Sequence, residues 1–196
     1  FNIRDYAADP RVDIAAGQDR FDDRLEPSDL LAVFSDGLDA DGNGYVDDIS
    51  GWDFFDRDND PWASLETNYG EHGVGVAREM AAEGNNGGDI GTCPNCAILP
   101  LRTGDAFIID GTRVAEAIAY AADMNAVGIS LALGGMSVPH MADAAIQYAW
   151  ECGMSVVSVG GDENSYHHNQ PAAASRVIYV KSVRHEGNDS DQPATT

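Results

Sequence analysis

From about Asn68 to Val183, hydrophobic and polar positions fall into alternating helical and extended blocks. Glu71 to Glu83 has helical spacing and stops at the cluster Gly84–Gly88. Ala97 to Arg102 (AILPLR) is a short apolar run, expected as a strand. Within Thr112 to Met124, Val114, Ile118, Ala121 and Ala122 stand at i, i+4, i+7 and i+8, one face of an amphipathic helix. Val127 to Leu133 is too apolar to be half exposed and predicts a buried strand before Gly134-Gly135. Ile146, Ala149, Trp150 and Gly153 mark a further helix face, followed by strands at Met154–Val159 and Val177–Val183. Residues 1–60 lack this rhythm and read as loops with short apolar punctuation, such as Asp29 to Phe34.

Strands that alternate with helices of this length predict an α/β fold, a mostly parallel sheet with helices on both faces. Ligands of such sheets bind beyond the carboxyl ends of the strands. That edge is expected to gather His72, the segment Ala132–Gly135 and the segment Gly160–Asp162. A layout of this kind suits an enzyme, although architecture alone does not establish an activity.

Composition narrows the partners. The chain has 196 residues, 43% of them apolar, enough for one core. Its net charge of -22 argues against nucleic acid and anionic membranes, and no run of apolar residues is long enough to span a bilayer. Residues 1–60 hold 17 acidic residues against 5 arginines, a net -12. We therefore read 1–60 as an acidic insert and 61–196 as the α/β part of the same structural domain. The chain opens at Phe1 with no charged-then-apolar signal segment, as expected for a mature form, a processed piece or a fragment.

The acidity has a spacing. In Asp39 to Ser50, Asp39, Asp41 and Asn43 stand at positions 1, 3 and 5 of a calcium loop, with Gly44 at 6, the Tyr45 carbonyl at 7 and Asp47 at 9. Position 12 is Ser50, so Asp48 or Asp53 is expected to substitute. Ca2+ is thus the expected structural cofactor, against an Asx-rich turn without metal. A degraded version runs from Gln18 to Asp29, with Arg20 at a ligand position, and Phe1–Asp5 looks like the tail of a third. Asp53 to Pro61 reads as a solvated turn, and His167-His168 as part of a surface loop. Cys93 and Cys96 are compatible with a redox motif, half a zinc site or a local disulfide. No second ligand pair supports zinc, and a local disulfide is the favoured reading for a secreted protein. Cys152 is expected to be a buried thiol.

Taken in order, five segments resemble the subtilisin-like serine peptidases, the subtilases. His72-Gly73-Val74-Gly75-Val76-Ala77-Arg78 resembles the helix-opening H-G-T-H-V-A-G, and Cys93-Pro94-Asn95-Cys96 a turn of type A-P-N-A. Ala132-Leu133-Gly134-Gly135 resembles S-L-G-G, and Val159-Gly160-Gly161-Asp162 resembles A-A-G-N. Pro171-Ala172 and Val177-Ile178-Tyr179-Val180 complete the series. Asp39–Ser50 with Gly51-Trp52-Asp53-Phe54 is also similar to an insert found in secreted members.

The resemblance implies a subtilisin-like fold and proteolysis by Ser-His-Asp acyl transfer on a peptide or protein substrate, outside the cell or at its surface. His72 would be the general base, and the positive end of a helix suits a base that must not start out charged. Ala132, Leu133, Gly134 and Gly135 would line the specificity pocket and pair with an extended substrate backbone. Asp162 would stand at the oxyanion position, where an amide donates and an ionised carboxylate cannot; some proprotein convertases carry Asp there. The alternative for Asp162 is a turn residue. A serine in a G-T-S motif and an aspartate ending a first strand are both missing. Ser35-Asp36 in Leu30–Asp39 is a decoy that runs into the acidic loop. The expectation is a middle piece of a subtilase, marginally stable on its own, or else a pseudopeptidase serving as a calcium-dependent binding module.

Overall fold

The Asp-rich segments fold by local hydrogen bonding more than by packing. In the computed structural model, which describes residues 6, 9–15, 25–62, 72–85, 87–105, 110–137, 139–161 and 168–181, one aspartate after another accepts the backbone N–H two residues on. Asp9 takes Arg11, Asp13 takes Ala15, Asp36 takes Leu38 and Asp41 takes Asn43; Asp53, Asp58 and Asp60 take Phe55, Asp60 and Trp62. Such Asx turns offer the backbone an alternative to helix and ladder, which is why the segment holds little regular structure.

The chain divides into two compact units, Phe1–Asp105 and Ala106–Thr196. In the first, helix α1 (Pro27–Phe34) starts with Pro27 in the first turn, and the buried Asp29 carboxylate accepts the Glu26 N–H at 2.8 Å. Strand β1 (Trp52–Asp53) pairs in parallel with β2 (Leu101–Arg102), Trp52 facing Leu101. The strand expected over Ala97–Arg102 is therefore only two residues long. Its partner offers no more, and Pro100, lacking an N–H, contributes only its carbonyl to Trp52.

This small sheet is fastened by one cation. The Arg102 side chain, one tenth exposed, forms ion pairs with Asp53, Asp56 and Asp105 and lies 5.0 Å from the Phe55 ring centroid. Burial alone would lower the guanidinium's pKa. The hydrogen bonds to Asp56, Asp105 and Asp53 outweigh that and raise it. Asp53 is buried at 1% exposure, so it is a partner of Arg102 and not a spare ligand for the acidic loop.

Helix α2 (His72–Ala81) has no buried residue. Its last carbonyls are closed by the chain that returns past it: Thr92, Cys93 and Gly91 donate to Glu79, Met80 and Ala82. The Cys93–Cys96 disulfide follows directly, the local bridge favoured from the sequence.

In the second unit, α3 (Gly111–Asp123) is capped by Asp110, whose carboxylate accepts the Thr112 N–H at 2.9 Å. Val114, Ile118, Ala121 and Ala122 are all buried, as their spacing predicts. Strands β3 (Gly128–Leu131), β4 (Ser155–Val159) and β5 (Val177–Val180) form a parallel sheet in the order β3-β4-β5. The α4 helix (His140–Glu151) crosses from β3 to β4 and packs on α3, and the small residues on its inner face permit close approach. That face is Ala142, Ala145, Ile146 and Ala149, with Trp150 58% exposed, so the apolar stripe lies one turn earlier than expected.

Two further expectations change. Val127 is 88% exposed, and along β3 only Leu131 is buried. Cys152 is exposed, because it caps α4 from outside its buried face. Among the described residues no helix is long and apolar enough to cross a membrane.

Replacing Arg102 by Met leaves the Asp53 carboxylate buried without its counter-charge. The expected loss is about 3 kcal/mol of stability, read as a lower urea midpoint with an unchanged slope. A loss below about 1 kcal/mol would place the pair with ordinary surface contacts.

Candidate functional site

The β3–β4 ladder ends at Leu131 opposite Ser158, and the two strands continue past it as Ala132–Gly135 and Val159–Gly161. Asn169, 4% exposed, lies between them. Its Nδ2 donates to the Leu133 carbonyl at 3.2 Å and to the Val159 carbonyl at 2.8 Å, while its Oδ1 accepts the Gly135 N–H at 3.2 Å. The Gly135 carbonyl in turn accepts the Gln170 N–H at 3.0 Å, an antiparallel bridge. Gly134 is required here by close approach: a Cβ would stand 2.5 Å from Asn169 Oδ1. Ala132, Leu133, Gly134 and Gly135 are all half-buried. A pocket of about 20 Å³ opens beside them, lined by Leu133, Gly134 and Gly135 together with Pro139, Gln170 and Pro171.

His72 is the first residue of α2 in the other unit and is exposed. Asp162 lies outside the described residues, as do Gln18, Asp22, Phe1–Asp5 and His167; His168 is exposed.

In the acidic loop, Asp39 Oδ1 accepts the N–H groups of Gly42 and Asn43, and its Oδ2 that of Gly44 at 2.8 Å. Gly44 has a φ of +92°, a left-handed conformation that favours glycine at this turn. The Gly44 N–H is the largest cause that holds the Asp39 carboxyl below its ordinary range, with Gly42 and Asn43 adding to it against desolvation. The Asn43 Nδ2 group stands between two carboxylates, 3.1 Å from Asp41 and 2.8 Å from Asp48. Tyr45 donates its N–H to Asn43 Oδ1. The Asp47 carboxylate instead accepts the N–H groups of Asp36 and Gly37. Ser50 is buried and donates its hydroxyl to the Pro27 carbonyl. Among the described residues, no three His, Cys, Asp or Glu side chains converge as a metal cage. The oxygen-rich donor set fits a hard cation all the same, and the Asn43 amide donor occupies the point between carboxylates to which positive charge is drawn.

A model of the Subtilase family, peptidase S8, matches residues 22–195. The chain belongs to the subtilase family. It is 37% identical over 148 residues to thermitase of Thermoactinomyces vulgaris, covering 72% of this chain and 50% of thermitase. It is 38% identical over 161 residues to the thermophilic serine proteinase of Bacillus sp. (strain AK1), covering 78% of this chain and 38% of the relative. This subtilase chain thus spans half or less of those relatives' length. Among solved structures, the protease domain of PatA superposes with a TM-score of 0.53 at 20% identity, over 60% of this chain and 44% of that one, a likeness of fold.

The motifs of the sequence thus lie on a helix start, a strand end and a loop of a subtilase. What the sequence did not single out is Asn169. The only signal for it was its place two residues before the Pro171-Ala172 motif.

Gly134→Ala drives a methyl group into the Asn169 amide. It is expected to lower stability by about 2 kcal/mol, measured by thermal melting, with the neighbouring Gly135→Ala less costly because its nearest contact is 3.5 Å away.

Proposed function

We propose that this chain supplies the general base and the peptide-binding strand of a subtilisin-like serine endopeptidase. One observation carries the reading: His72 opens helix α2 with the family's H-G-x-x-V-A pattern, inside a family match over residues 22–195. In this reading His72 takes the proton from a serine Oγ as it attacks the scissile carbonyl, then returns it to the leaving amine. Ala132–Gly135 pairs with the extended substrate backbone and lines the specificity pocket. Asp162 stands at the oxyanion position and serves there protonated or through a water.

The nucleophile and the acid that orients His72 come, on this proposal, from parts of the whole protein beyond residues 1–196. That 50% or less of each relative described above is matched supports it. We read Asp36 as a turn residue and not the acid, a reading supported by the Asx turn in which its Oδ1 accepts the Leu38 N–H. The competing reading is a pseudopeptidase, favoured by Val74, Gly75 and Arg78 in the histidine motif, by Ala132 for Ser and by Asp162 for Asn.

The proposal includes calcium at Asp39, Asp41, Asn43 and the Tyr45 carbonyl, with Asp48 beside Asp47. The ion would supply charge neutralisation that stiffens an acidic loop, and no catalytic step passes through it. A location outside the cell or at its surface belongs to the same reading, supported by the Cys93–Cys96 disulfide and the acidic composition.

The product of the whole gene is expected to react with a fluorophosphonate probe and to cleave casein, and His72→Ala is expected to lower kcat more than about a thousand-fold. No labelling despite a serine in the G-T-S motif would favour the pseudopeptidase. Millimolar Ca2+ is expected to raise the melting temperature and a chelator to lower it, with the shift abolished in Asp39→Asn/Asp41→Asn; a melting temperature indifferent to chelator removes calcium from the proposal.

A further inference from the structure

We propose that the Cys93–Cys96 bridge and the two residues before it form a clasp that keeps helix α2 formed and so positions His72. The inference rests on the reading of His72 as the general base and adds to it residues at the far end of its helix.

Helix α2 is poorly equipped to hold itself. It has ten residues, none fully buried, and a helix of that length is marginal in water without outside support. Two of its first four residues, Gly73 and Gly75, are glycines, which lower its intrinsic stability further. Support comes at the other end. Gly91, Thr92 and Cys93 donate their N–H groups to the carbonyls of Ala82, Glu79 and Met80 at 2.9, 3.1 and 2.7 Å. The Thr92 hydroxyl donates to the Met80 carbonyl at 3.4 Å. The Glu79 and Met80 carbonyls are among those that a helix end leaves without partners. The approach is close: a Cβ on Gly91 would stand 2.5 Å from the Ala82 nitrogen and 2.6 Å from that of Ala81. Only glycine lets the returning chain lie so near.

Three consecutive donors cap the helix only while their backbone keeps one path. The bridge enforces that path by tying Cys93, the last of the three, to Cys96, whose N–H donates to the Cys93 carbonyl at 3.0 Å. Beyond it the chain reaches β2, where Arg102 is fixed by three carboxylates. A short helix forms cooperatively, so an anchor at its last turn bears on its first, where His72 stands about 15 Å away.

The polarity of the segment separates this role from the redox motif that the same spacing allows. A redox cysteine gains from the positive start of a helix, which favours its thiolate. Cys93 meets the carbonyl end instead. Both cysteines are exposed, so a reductant reaches the bridge. A dithiol cleaves the Sγ–Sγ bond, passing two electrons and two protons to the cysteines while it closes into its own disulfide.

The whole gene product supplies the test. In Cys93→Ser/Cys96→Ser, hydrogen exchange read by mass spectrometry is expected to run about ten-fold faster in Val76–Ala82, with α3 and α4 unchanged. On a peptide anilide, kcat is expected to fall about ten-fold while KM holds. A dithiol is expected to produce both changes in the wild type and neither in the variant, and reoxidation to reverse them; this arm decides the matter if a variant does not fold. Gly91→Ala, which displaces the cap and keeps the sulfurs, is expected to show the same exchange pattern. Faster exchange confined to Gly91–Cys96, or spread through α3 and α4, overturns the clasp, as does catalytic turnover of the bridge with a dithiol peptide. Faster α2 exchange with kcat unchanged overturns the positioning of His72. A protein that shows the exchange effect but neither cleaves peptide nor reacts with a fluorophosphonate keeps the clasp and removes the endopeptidase reading instead.

Discussion

Parallel strands that stop pairing leave carbonyls and N–H groups that must find partners where water is scarce, and the second unit depends on how that demand is met. One buried amide, Asn169, meets it for β3 and β4 together. Without it the Leu133 and Val159 carbonyls would each have to draw in water or shift, at a cost on the order of 1–3 kcal/mol for each unsatisfied group. The requirement also explains Gly134, since no side chain fits between that strand end and the amide. The glycine read from the sequence as a site for ligand approach is therefore also a site of close approach by the protein itself.

This shows which parts of the molecule were legible in advance. Elements decided by their own pattern came through: α3 with Val114, Ile118, Ala121 and Ala122 inward, and β4 as a strand within Met154–Val159. Elements decided by a partner did not. The apolar run ending at Arg102 became a two-residue strand because only Trp52–Asp53 pairs with it. The apolar character of Val127–Leu133 overstated its burial: among the described residues of β3 only Leu131 is buried, and Val127 lies ahead of the strand. Asn169 was invisible for a related reason. Its importance comes from three backbone groups remote in sequence, and no local pattern marks a polar residue that will be buried among them.

The two units solve the same physical problem by different means. In the second, apolar side chains on α3 and α4 exclude water and leave a few polar groups to be matched one at a time. In the first, helix α2 has no fully buried residue and the described sheet has two residues per strand, so beside the buried Leu30 and Phe54 charge supplies much of the cohesion. Arg102 gathers Asp53, Asp56 and Asp105 around one guanidinium, and a planar fork of donors can serve several carboxylates where a lysine ammonium would serve them less well.

The surplus of acid follows from that division. With 33 acidic residues against 11 basic ones, most carboxylates have no side-chain cation available, and in the acidic half they turn to backbone N–H groups. Asp39 alone accepts three, from Gly42, Asn43 and Gly44, and Asp47 accepts two, from Asp36 and Gly37. Such bonds stabilise the ionised form, so a carboxyl like Asp39 that is depressed in the folded loop contributes order above its unfolded pKa and loses it as pH falls through the folded one. A loop built this way needs its charges in order to hold its shape, while the same charges repel one another across it. Hydrogen bonds satisfy the first condition and leave the second standing. The Asn43 amide stands between Asp41 and Asp48 and bridges their carboxylates, and it carries a partial charge where a full one would do more. That imbalance, more than the spacing of any motif, is the physical ground for expecting a cation in the loop.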